Sequence, residues 1–164
     1  QRKMMKPKKA FREKIFRLCE DTMFRGIFCG LVAAIIKDGI DLLLYIGNLK
    51  EVFFWSFASV LAFHELPKDW FMNIVAIILE LVFSAFLAIV FVYCARYIKT
   101  RHYLLVGAFY GTIIWFFIKA AIVAFKIGQL TPKTNINPFI TWLLSMAFGI
   151  IVAFMDRKLA PQTS

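Results

Sequence analysis

Four apolar stretches, each about long enough to cross a bilayer, divide this chain, and ionisable residues interrupt three of them. These are Lys37, Asp38 and Asp41 in the first, Glu80 in the second and Lys119 in the third. A backbone in lipid must satisfy its own hydrogen bonds, which a helix does within itself. The expected fold is therefore all-α: an integral membrane four-helix bundle with spans at about 23–47, 70–97, 103–127 and 138–155. Composition agrees, with 61% hydrophobic and 18% charged residues and a mean hydropathy of +0.73, well outside the range of a soluble domain.

Between the first two spans, NLKEVFFWSFASVLAFHELPKDW holds an apolar run of about a dozen residues, too short to cross. It predicts an additional interfacial or re-entrant helix on the outer side, ended by Pro67. The later connection GQLTPKTNINP has turn chemistry throughout and reads as a loop. With 164 residues, four spans leave one basic leader at 1–22, the membrane domain at 23–158 and a short tail at 159–164.

The formal charge of +10 is concentrated at the start, where Arg2, Lys3, Lys6, Lys8, Lys9, Arg12, Lys14 and Arg17 face one Glu. Beside an apolar span this pattern predicts contact with anionic lipid headgroups, at about 1 kcal/mol per basic residue, and not nucleic acid. The run that follows is long for a signal peptide, carries charges and lacks an A-x-A-like exit, so it reads as a retained first span. Arg96, Lys99 and Arg101 in the second connection, and Arg157 and Lys158 at the end, fall on the same side as the leader. The opposite side holds Lys50, Lys68 and Lys133, with Lys126 at a span end. The positive-inside rule thus predicts a multi-pass protein with both termini in the cytoplasm.

A charge in hydrocarbon costs roughly 2.5–3.5 kcal/mol on insertion scales, so such residues face a partner, a cavity or a pathway. At 1.5 Å per residue, Lys37, Glu80 and Lys119 lie at one level, roughly 20–25 Å from the cytoplasmic end. Helical spacing aligns Gly26, Gly30, Ala33, Lys37 and Asp41 on one stripe, and Asn73, Ala76, Glu80, Ser84 and Ala88 on another. In the third span Ala108, Thr112, Trp115 and Lys119 align, with Gly107 and Gly111 adjacent; in the fourth Ser145, Gly149 and Ala153 recur. Gly26, Gly30, Gly107, Gly111, Ser145 and Gly149 are candidates for close helix approach.

The expected arrangement is a buried cluster in which Lys37 and Lys119 oppose Asp41 and Glu80, with Asp38 directed at water or a partner. It could fix helix packing, bind an ion or proton, or meet another protein. No nucleophile-and-base constellation, phosphate loop or metal spacing stands out, Cys19, Cys29 and Cys94 included, and no cofactor is expected. His64, beside Glu65, reads as an interfacial residue.

The segments GLVAAIIKDGIDLLLY and YLLVGAFYGTIIWFFIKAAIV, with the turn GQLTP, resemble small bacterial four-span proteins of the YqhR-like or YagU-like kind, whose function is itself uncharacterised. The resemblance implies a bacterial inner-membrane location. From the residues themselves, the expectation is a non-enzymatic accessory or assembly subunit, acting as a homo-oligomer or with a membrane-protein partner. The alternative is a proton- or cation-coupled transporter or channel component using Glu80 and Asp41.

Overall fold

The computed structural model describes residues 21–49, 53–98, 100–127 and 136–160, and all regular structure within them is helical. In chain order the helices are α1 (Thr22–Ile46), α2 (Ser56–Phe63), α3 (Trp70–Ala95), α4 (Tyr103–Ala124) and α5 (Ile136–Leu159). The basic leader, Cys19, Lys50, Lys99 and the 128–135 connection, Lys133 included, fall outside the described residues.

Among the described residues three helices are long and apolar enough to cross a membrane: α3, α4 and the 137–159 part of α5. This is the pattern of a membrane protein. Helix α1 is just as long, at 25 residues, but carries Arg25, Lys37, Asp38 and Asp41 within its length.

Local chemistry sets the helix ends. The Asp21 carboxylate accepts the Met23 N–H at 2.9 Å and so opens α1 with a side-chain cap. Gly47 closes it, and Asn48 follows at a φ of 54°. His64 ends α2 in the left-handed region, with its N–H on the Val60 carbonyl. Helix α5 runs on through Asp156, Arg157 and Lys158, longer than the 138–155 expected from hydropathy. Basic residues in its last turn suit the negative end of the helix dipole.

The helices associate in two close pairs, α1 with α3 and α4 with α5, and α1 also packs on α5. Small residues decide this. A Cβ on Gly30 would lie 2.7 Å from the Ala85 Cα, and one on Gly26 2.7 Å from the Ile89 Cα. Across the second pair, a Cβ on Gly111 would lie 2.0 Å from the Ser145 carbonyl oxygen. Such close approach replaces the hydrophobic drive that lipid does not supply. The main core therefore forms from Cys29, Ala33, Ala88, Phe91, Val92, Phe148 and Val152 where the pairs meet.

Helices α3 and α4 touch chiefly near their short connection, where Phe91 packs against Tyr103 and Tyr110. There the Tyr110 hydroxyl donates to the Leu87 carbonyl at 2.6 Å. Toward the other end α2 stands between them, its Val60 against Ile122 of α4.

Candidate functional site

The small-and-charged stripe of α1 lies inside the bundle: Gly26, Gly30, Ala33, Lys37 and Asp41 are all buried. The facing stripe of α3 buries Ala76, Glu80, Ser84 and Ala88. Close packing of these two helices brings Lys37 to Glu80, with Nζ 2.8 Å from Oε1. Asp38 joins them, its Oδ1 2.6 Å from the same ammonium. The Ser84 hydroxyl donates to Glu80 Oε1 at 3.0 Å, one helical turn further along α3.

The chain after α1 folds back over this group. Lys37 Nζ lies 3.7 Å from the centre of the Phe54 ring, a cation–π contact strengthened by exclusion of water. The Phe54 N–H donates to Asp41 Oδ2 at 2.6 Å. Lys37 is thus surrounded by two carboxylates and an aromatic face, and only 2% of it is exposed. Effective desolvation costs several kcal/mol per ion, so a buried pair of this kind adds little net stability, while loss of one partner is costly.

The residues of the expected cluster are arranged differently from the sequence expectation. Asp41 holds the Phe54 backbone, and Asp38, expected to point away, is the closer of the two carboxylates to Lys37. Lys119 lies apart, half-buried, and its nearest charge-recognising contact is the Phe57 ring, 6.0 Å away. The reason is the choice of neighbour: Gly107 and Gly111 commit α4 to α5, which keeps its Lys119 away from Glu80 on α3.

A second charged group was not anticipated from the sequence. Arg25 Nε meets Asp156 Oδ1 at 2.7 Å, and the Tyr103 hydroxyl donates to Asp156 Oδ2. One buried carboxylate therefore joins α1, α4 and α5. The available signal was the lone acid in the run Asp156-Arg157-Lys158, at the same end of the bundle as Arg25. Reciprocal indole bonds add to the α4–α5 contact: Trp115 Nε1 donates to Thr141 Oγ1 at 3.1 Å and Trp142 Nε1 to Thr112 Oγ1 at 3.2 Å.

Beside the Lys37 group, where α3 and α4 diverge, lies a cavity of about 690 Å³. Its walls are almost wholly apolar, and its polar lining consists of Lys37, Glu80, Ser84 and Ser145. Among the described residues, Glu80 Oε2 and Ser145 Oγ are buried and have no hydrogen-bond partner. No three metal-binding side chains gather among the described residues.

No protein-family model, curated protein or solved structure matches the chain.

Proposed function

We propose that this is a non-enzymatic, four-span protein of a bacterial inner membrane, with both termini cytoplasmic, acting as a small accessory or assembly subunit. At 1.5 Å per residue, α1 has the length to span, and its charges have neutralising neighbours in Asp156, Asp38 and Glu80. The eight-residue α2 is too short to cross and acts as the interfacial or re-entrant piece on the outer side.

The observation that carries the subunit reading is the contrast between two lysines. Lys37 is fastened from within, whereas Lys119 forms no ion pair with the described residues and lies 6.0 Å from the Phe57 ring. Its helix is the least buried of the three candidate spans and leaves Phe109, Ile113, Phe116 and Phe117 exposed. A cation at that depth is stabilised by a carboxylate on an adjoining helix, supplied by a partner protein or a second copy.

Affinity purification in mild detergent tests this. A stoichiometric partner or homo-oligomer is expected, and Lys119→Glu should release it by placing like charge against the partner's acid. A monodisperse monomer, or an assembly indifferent to Lys119→Glu, would count against the reading.

The transport alternative has one feature in its favour, the unpartnered Oε2 of Glu80. Proton or cation flux into vesicles that disappears in Glu80→Gln would support it.

A further inference from the structure

We propose that the cavity between α3 and α4 binds an amphiphile drawn from the lipid phase, with one apolar chain and a head that donates hydrogen bonds, a hydroxyl or an ammonium. The volume, about 690 Å³, is that of a typical small-molecule site. Leu61, Phe83 and Phe117 line it and are themselves strongly exposed, so the opening faces the surroundings through apolar side chains. A hydrocarbon chain can enter from the bilayer without crossing a polar barrier.

The head is selected by what the cavity wall leaves unmet. Glu80 and Ser145 both border this space, and their Oε2 and Oγ atoms are buried and lack partners among the described residues. A carboxylate oxygen can only accept, and a serine oxygen accepts as readily as it donates. Lys37 cannot serve an incoming anion, since its ammonium is engaged by Asp38, by Glu80 Oε1 and by the Phe54 ring. Formally, Lys37, Asp38 and Glu80 together carry one surplus negative charge. A donor head therefore satisfies the stranded Glu80 oxygen and can also be met by the Ser145 hydroxyl, while an anionic head meets like charge. Polar groups left unmatched in hydrocarbon are costly, which supplies the affinity.

This inference rests on the membrane embedding proposed above and not on the partner, so loss of a pull-down partner leaves its test intact. Full-length protein in nanodiscs is irradiated with hexadecanol, hexadecylammonium or hexadecyl sulfate, each bearing a diazirine in the tail, and adducts are mapped by peptide mass spectrometry. The hydroxyl or ammonium probe should label α3 and α4 peptides about tenfold more than the sulfate, a difference of 1.4 kcal/mol. Ser145→Ala should weaken that labelling severalfold, and Ala58→Trp, which fills the cavity from α2, should abolish it. Equal labelling by all three probes overturns the proposal, as does labelling that survives Ala58→Trp. The probe comparison uses the unaltered chain and stands even where a variant fails to fold.

Discussion

Arg25 and Asp156, 131 residues apart, meet at 2.7 Å and tie the first described helix to the last. The opposite oxygen of the carboxylate takes the Tyr103 hydroxyl, so three helices share one anion. Removing either charge strands the other in a buried site, whereas removing the hydroxyl leaves the ion pair in place.

Asp156→Asn should therefore cost about 3–5 kcal/mol of stability, the usual loss on breaking a buried pair. Tyr103→Phe should cost only about 1–2 kcal/mol, the scale of one side-chain hydrogen bond between membrane helices. Thermal unfolding in detergent micelles ranks the two. The double variant Arg25→Met with Asp156→Met should recover much of the loss, because both ions leave the interior together. A double variant as unstable as the sum of its parts would show that the contact is not a pair.

The Lys37 group predicts an asymmetry. Glu80→Gln leaves Lys37 with Asp38 and the Phe54 ring, and its amide can still accept from Ser84. Lys37→Met leaves Asp38 and Glu80 facing each other without a cation. Lys37→Met should thus destabilise by about 3–5 kcal/mol and Glu80→Gln by well under half of that. Steric-trapping measurements in bicelles give both values; equal losses would mean that Asp38 does not share the lysine.

The helical content and the buried faces of α1 and α3 were legible in the sequence, because small and charged residues recur there at helical spacing. Gly26, Gly30, Lys37 and Asp41 needed no partner to be recognised as one face. Partner choice was less legible. Depth put Lys119 level with Glu80, but depth is one coordinate, and position around the bundle followed from backbone contacts at Gly107 and Gly111 that no charge pattern encodes. Asp156 escaped notice for a related reason: it lies just beyond the hydropathic end of its span, at about 155, while the helix itself runs on to Leu159.

Orientation yields a direct labelling experiment. Lys68 lies between α2 and α3, Arg101 lies between α3 and α4, and both are exposed. With the positive-inside orientation, a membrane-impermeant maleimide should label Lys68→Cys in intact cells and Arg101→Cys only after permeabilisation. Cys94 is also exposed, and both it and Cys19 must first be replaced by Ala. The reverse pattern would place the termini outside and remove the basis for the leader's contact with anionic lipid.

The glycines offer the sharpest test of how the bundle is held, because they differ in what surrounds them. A Cβ on Gly149 would lie 2.0 Å from the Gly107 carbonyl oxygen, and one on Gly107 would lie 2.4 Å from that of Gly149. Both obstacles are backbone, so neither can yield by a rotamer change, and the α4–α5 pair must separate to admit a methyl group. Gly39, also helical, has nothing within 4 Å of such a position. Alanine there removes backbone entropy from the unfolded chain and should stabilise by roughly 0.5–1 kcal/mol. Gly107→Ala and Gly149→Ala should instead cost about 1–3 kcal/mol through overpacking. A shift of α4 should also weaken the indole bonds to Thr112 and Thr141, so the fluorescence of Trp115 and Trp142 should change in these variants and stay constant in Gly39→Ala. If all three substitutions behaved alike, helix propensity and not close packing would govern the pair.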